Sequence, residues 1–350
     1  MRLYDTARRE VVPFTPGEVV TIYVCGITPY DATHIGHASL YLTYDVIQRR
    51  LRDRGHDTKA VRNISDVDDD VKALGLLPCW SEPRATSAIP DIRGFIGMVL
   101  DRGYAYQAGG GVYFDVSKFD RFGQVSHLDR DEMLRLAAER GGNVEDPHKH
   151  DPLDFVLWQP SAPDEPSWES LWGPGRPGWH IECSALALRE LGTTIDLHGG
   201  GSDLIYPHHE CEAAQSEAAT GEPFVRHWLH QAMVRMDGEK MSKSLGNLVF
   251  VSELRKIWDP RAIRLGVICH HYRQPWDWDG DVMPAAADRL ARWQAASATA
   301  GDGDAALDEV RAALDDDLDT PAAIAAVDEA ADLGKGVGQA AALLGVDLSG

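Results

Sequence analysis

Hydrophobic and polar positions change period along the chain, and each change predicts an element. The short β-branched run TIYVCGI, beginning at Thr21, predicts a buried strand. From Ser39, SLYLTYDVIQRRLRDRG places Leu40, Tyr44, Ile47 and Leu51 on one helical face and ends at Gly55, a C-cap residue type. TKAVRNI then predicts a second strand, followed by the acidic SDVDDD. A strand, a turn, a helix and a strand make a βαβ unit. The fold class expected is therefore α/β, with a doubly wound, Rossmann-like parallel sheet.

From about residue 71 to 166 the pattern is irregular, with PCWSEPRA and GGGVYFDVSKFDRFG suggesting short strands and turns, and it reads as an insertion. The α/β pattern resumes in TTIDLHGGGSDLIYPHHECEAAQSEAATG as a strand, a Gly-rich turn and a helix. After GEKMSKSLGN the periodicity is helical to the end. The expected organisation is a catalytic unit over 1–250, with the insertion at 71–166, and a helical domain over 251–350. There are no internal repeats.

Composition narrows the class. With 350 residues, 44% hydrophobic and 25% charged, the chain can bury a sizeable core. No run of apolar residues is long enough for a membrane span and no leader-like stretch opens the chain, so a cytoplasmic protein is expected. Its five cysteines are scattered, which suits core, metal ligation or catalysis better than a disulfide framework. The net charge of −21 argues against a nucleic-acid partner without forbidding a local basic patch.

Three stretches carry chemistry. His34-Ile35-Gly36-His37 would open the first helix, where free N–H groups and the dipole favour an anion and imidazoles can donate to phosphoryl oxygens. Two surface histidines beside a turn would read the same way. GEKMSKSLGN sets Lys240 and Lys243 in a Gly-flanked loop, suited either to clamping polyphosphate or to simple solvation. Cys25 and Cys183 together with His208 and Glu212, the latter two sharing a helix face, offer proper zinc ligands. Taken singly, each cysteine is equally a buried core residue.

In their order and βαβ context, HIGH and KMSKS resemble the signature motifs of class I aminoacyl-tRNA synthetases, which activate amino acids as adenylates. Cys25, Cys183, His208 and Glu212 match the zinc site of the cysteinyl-tRNA synthetases, where the metal takes the substrate thiol. NISDVDD, EPRAT, LDFVLW, GRPGWHIECSA, GGGSDLIYPHHE and HWLH extend the likeness. The resemblance implies Zn²⁺ and ATP with Mg²⁺ as cofactors. It assigns His34, His37, Lys240 and Lys243 to catalysis, and Gly36, Gly200, Gly201, His230 and Met241 to the ATP site. Ser65, Trp179 and Asp203 would hold L-cysteine.

The acceptor expected is a small amine rather than tRNA. No anticodon-binding domain is expected after the helical region. From Ala286 to Gly350 there are four basic and thirteen acidic residues, a surface that repels a phosphate backbone. AERGGN, GNLVFVSELR and DDLDTPAAIAA resemble the cysteine ligases of mycothiol synthesis, which join cysteine to the amine of glucosaminyl-inositol. Two features depart from that family. Glu212 adds a carboxylate to the metal set, and DVDDDVKALGLLP shortens a helical segment. A truncated cysteinyl-tRNA synthetase and a non-catalytic relative are the competing readings, and the sequence leaves the oligomeric state open, with a monomer favoured.

Overall fold

The protein is described by a computed structural model covering residues 1–26, 33–63, 72–241, 245–300 and 303–349. Ser65 and Lys243 lie outside the described residues. A hairpin of β1 (Arg2–Asp5) and β2 (Glu10–Pro13) precedes the first central strand, β3 (Val19–Val24). Helix α1 (Ile35–Asp53) returns the chain to β4 (Asp57–Arg62), parallel to β3, which is the predicted βαβ unit.

Alternation along β3 divides the core in two. Val20, Ile22 and Val24 face one side, where Leu42, Val46 and Ile47 of α1 pack, while Tyr23 and Cys25 face the other. Each such fully buried aliphatic side chain contributes about 1.5–3 kcal/mol.

The insertion is more regular than its sequence suggests. It contains α2 (Ile89–Asp101), the strands β5 (Ala105–Ala108) and β6 (Gly111–Phe114), α3 (Arg130–Glu139) and the strand β7 (Phe155–Gln159), and β8 (Arg176–Pro177), ten residues past its expected end, completes its sheet. The four strands form one antiparallel sheet. Gly94 and Gly97 hide the helical signal of α2, whose Ile89, Ile92, Phe95, Ile96 and Val99 are all buried. This sheet and α2 pack with α4 (Trp179–Leu191) on the Tyr23 side of the central sheet.

Strand β9 (Leu197–Gly201) follows, and its glycines belong to the strand rather than to a turn. A Cβ on Gly199 would sit 1.7 Å from the Leu229 carbonyl oxygen, so only glycine lets β9 lie so close to its neighbour. A single π-helical turn over Ile205–His209, kinked at Tyr206, leads into α5 (Glu210–Thr220) and then β10 (Trp228–Gln231). The central sheet has the order β10-β9-β3-β4, all parallel. β11 (Val234–Met236) and β12 (Glu239–Lys240) then form a small hairpin.

The C-terminal region is built from α6 (Val251–Leu254), α7 (Pro260–Ile268), α8 (Val282–Ala300), α9 (Leu307–Asp315), α10 (Thr320–Asp332) and α11 (Gly338–Leu343). One element departs from the all-helical expectation: β13 (Trp276–Asp277) pairs in parallel with β11. Helices α7, α9 and α11 pack against α1.

Candidate active site

The central strands end together where the strand order reverses, the usual place for a ligand crevice in an open α/β sheet. A cleft of about 1100 Å³ opens there. Cys25, Gly36, His34, His37, Trp179, Cys183, Gly201, Asp203, His208, Lys240 and Met241 line it, so most of the residues singled out in the sequence meet in one cavity. Gly200 and His230 are buried and lie outside the cleft-lining set.

At one end, α1 begins with His34 as its N-cap, whose Nδ1 accepts a hydrogen bond from the Gly36 N–H at 3.1 Å. The His34 and His37 rings lie against each other, with centroids 3.7 Å apart. A Cβ at Gly36 would come within 2.9 Å of the His34 ring, which explains the glycine between them. No acidic residue occupies the first turn, so the positive end of the helix is left for an anion. The Ile35 N–H donates to the Val249 carbonyl at 2.9 Å, and the Val251 N–H to the Thr33 carbonyl at 3.0 Å. The chain just beyond the lysine loop is thereby tied to the start of α1.

At the other end, Cys25, Cys183, His208 and Glu212 place one ligand atom each within 4.8 Å of the others, all buried. Cys25 leaves the end of β3, Cys183 stands on the first turns of α4, and His208 and Glu212 flank the start of α5. His208 Nε2 lies 3.4 Å from Cys25 Sγ and 3.3 Å from Glu212 Oε2, and Cys25 Sγ lies 3.7 Å from Glu212 Oε2. Zinc bond lengths of 2.0–2.3 Å at tetrahedral angles put neighbouring donors about 3.3–3.8 Å apart. These three edges therefore fit a zinc-sized ion.

Without an ion the pocket disfavours the charged forms of its thiols and of His208. Burial pushes the Cys25 thiol well above its ordinary value, with the Cys183 sulfur and the Glu212 carboxylate adding to the effect. The Cys25 contact lowers Cys183, but burial and Glu212 carry it upward on balance. Burial, with His180 and His198 nearby, holds His208 well below the usual imidazole range. Neutral imidazole is the metal-binding form, and a divalent cation would reverse the preference of the thiols.

Several residues not singled out in the sequence hold this set in place, together with Trp179 and His230, which were. His180 Nδ1 lies 2.9 Å from His208 Nδ1, and the exposed Trp179 ring stacks on His208 with centroids 4.2 Å apart, so both orient the imidazole. Asn63 donates its amide N–H to Cys183 Sγ at 3.4 Å and accepts from the Gly26 N–H at 2.7 Å. His198, His209 and His230 lie beneath the cleft. His198 Nε2 is 3.3 Å from Glu212 Oε2, and His209 Nδ1 is 2.6 Å from His230 Nε2. His230 Nδ1 is in turn 2.7 Å from the Thr6 hydroxyl.

Comparison with known proteins agrees with this geometry. The family described as tRNA synthetases class I (C) catalytic domain matches residues 11–72 and 69–288. An L-cysteine:1D-myo-inositol 2-amino-2-deoxy-alpha-D-glucopyranoside ligase from Nocardiopsis dassonvillei is 48% identical over 361 residues, covering 95% of this chain and 89% of the relative. A ligase of the same name from Thermobispora bispora is 49% identical over 357 residues, covering 94% and 89%. Among solved structures, Mycobacterium tuberculosis methionyl-tRNA synthetase in complex with methionyl-adenylate superposes with a TM-score of 0.64 at 14% identity, covering 90% of this chain and 83% of that one. At that identity the likeness concerns the fold.

Proposed function

The chain belongs to the class I tRNA synthetase catalytic-domain family of the cysteine type, and on that premise we propose that it is a ligase that activates L-cysteine with ATP and transfers it to the amine of glucosaminyl-inositol. The observation that carries the reading is that Cys25, Cys183 and His208 line the same cleft as the His34–His37 helix start and converge there with the buried Glu212 carboxylate behind them. The ligase relatives support the choice of acceptor.

Two steps account for the products. A cysteine carboxylate oxygen attacks the α-phosphorus of ATP, giving cysteinyl adenylate and pyrophosphate. The neutral acceptor amine then attacks the carbonyl carbon of this mixed anhydride, forming the amide and releasing AMP and a proton. The carboxylate is already a nucleophile at neutral pH, so the residues serve mainly to position groups and offset charge.

We assign Trp179 and Asp203 to holding cysteine, Asp203 through its ammonium group. His34 and His37, at the start of α1, would donate to the α-phosphate region. Gly36, Gly201 and Met241 would line the nucleotide site, with His230 and Gly200 supporting it from below. Lys240 and Lys243 would neutralise the departing pyrophosphate with Mg²⁺. Ser65 keeps its assignment to the cysteine side. Cys25, Cys183, His208 and Glu212 would hold Zn²⁺. When bound, that ion supplies a soft Lewis acid that takes a thiolate in preference to a serine hydroxyl.

We take residues 1–250 as the catalytic unit, with the insertion at 71–166, and 251–350 as its helical companion. No described helix is long and apolar enough to cross a membrane, and we place the reaction in the cytoplasm. The test is exchange of labelled pyrophosphate into ATP. It should depend on cysteine, ignore serine and stop when a chelator removes the metal. Exchange supported equally by serine would overturn the zinc-selection reading.

A further inference from the structure

Beside the set formed by the cleft-lining Cys25, Cys183 and His208 with the buried Glu212 lies a second set that shares Cys25 and Glu212 with it. Cys25, His198, His209 and Glu212 also place one ligand atom each within 4.8 Å of the others, and all four are buried. His198 Nε2 lies 3.3 Å and His209 Nε2 3.7 Å from Glu212 Oε2, again the spacing of donors around a zinc-sized ion.

Hydrogen bonding orients this set for a cation. The Tyr23 carbonyl can only accept, so His198 Nδ1, 2.8 Å away, carries a hydrogen, and in the neutral ring Nε2 turns its lone pair to Glu212. Two acceptors then face each other across 3.3 Å and need a proton or a cation between them. His209 Nε2 has no hydrogen-bond partner among the described residues, nor has Glu212 Oε1, although both side chains are fully buried. A buried ring nitrogen and a buried carboxylate oxygen that both lack partners are a costly arrangement for a pocket that is to stay empty. His209 Nδ1 is fixed by His230, as the outer nitrogen of a metal-binding imidazole usually is.

We propose that the pocket offers a metal ion two mutually exclusive positions, one at the cleft and a deeper one made by Cys25, His198, His209 and Glu212. The deep position retains the ion when the cleft position is broken. Cys183 and His208 line the cleft, whereas His198 and His209 do not. An ion in the deep position is therefore withheld from a cleft-bound thiol. The inference rests on the zinc reading above only in requiring that a metal is taken up.

The test uses the full chain, stripped of metal and reloaded with one equivalent of cobalt(II). Metal content after desalting and the thiolate-to-cobalt charge-transfer band are read for wild type, C25A, C183A and the double variant C183A/H209N. Wild type should show a two-thiolate band. C183A should keep its cobalt with the band halved to one thiolate, and should lose cysteine-dependent pyrophosphate exchange. C25A should release the metal, because it breaks both positions. H209N in the C183A background should weaken retention at least about tenfold.

If C183A releases cobalt as readily as C25A, the deep position is not a metal site and a proton fills the His198–Glu212 contact. Should the double variant misfold, X-ray absorption of zinc-loaded C183A decides instead. Two imidazole neighbours place the ion deep, and one overturns the proposal. A one-thiolate band in wild type would leave the deep position standing and refute the cleft set. A wild-type protein that takes up no metal would refute both.

Discussion

Lys240 Nζ lies 2.7 Å from Asp203 Oδ2, so a lysine of the second signature loop rests on the carboxylate assigned to the substrate ammonium group. Both side chains are substantially exposed. An ion pair in such a setting is worth about 0–1 kcal/mol, weak enough for an incoming cysteine to displace it. Cysteine binding would then release Lys240 toward the phosphates.

Asp203→Asn should raise the KM for cysteine about tenfold, equivalent to about 1.4 kcal/mol, and leave the melting temperature nearly unchanged. Steady-state exchange kinetics over a cysteine series check this. An unaltered KM would remove Asp203 from the amino-acid site.

Lys243 is assigned from the sequence motif alone. Its substitution by alanine should slow adenylate formation about 10²–10³-fold, the usual loss for one charge-stabilising donor. Zinc content should not change. Exchange at the wild-type rate would reassign the loop's role to Lys240.

Zinc uptake should release protons. Burial keeps both Cys25 and Cys183 as thiols at neutral pH, and a metal-bound cysteine is a thiolate. Calorimetry in buffers of different ionisation enthalpy should report about two protons released per zinc near pH 7. Release of fewer than one would mean that the sulfurs are not both ligands.

A structural prediction concerns Asp45 on α1. Burial raises its carboxyl, but the guanidinium groups of Arg264 and Arg49 outweigh burial and hold it below the usual range. Arg264 is fully buried, pairs with Asp45 and donates to the Leu344 carbonyl at 2.7 Å, clasping α7 and the C-terminal segment to α1. Asp45→Asn leaves that cation without its partner and should cost about 3–5 kcal/mol near pH 7. Because the folded value lies below an unfolded value of about 3.9, the contribution is complete above about pH 4 and is lost as pH falls through the lower folded value. Urea titrations should show wild type and variant converging in acid. A constant gap would point to a packing defect instead.

The sequence made some of this legible and concealed the rest for identifiable reasons. The β3–α1–β4 unit was readable because its periods are long and uninterrupted. That Cys25, Cys183, His208 and Glu212 come together was readable because two cysteines, a histidine and a glutamate are chemically conspicuous. His198 and His209 gave no such signal: one sits in a strand among glycines, the other in the kinked π-helical turn before α5, and only the folding of that segment against β9 brings both to Glu212. His180 and Asn63 were hidden similarly, since a residue that orients a ligand is defined by its neighbour in space. β9 was misread because a glycine run ordinarily marks a turn, whereas here it permits close strand approach. The insertion's α2 was obscured by glycines that the surrounding core overrides.

The central claim is best tested by product identity. Protein, ATP and labelled cysteine should be offered glucosaminyl-inositol and tRNA together, and the labelled product separated. The expected labelled product is a cysteinyl amide of the amino sugar, formed with AMP. Cysteinyl-tRNA as the labelled product would contradict it.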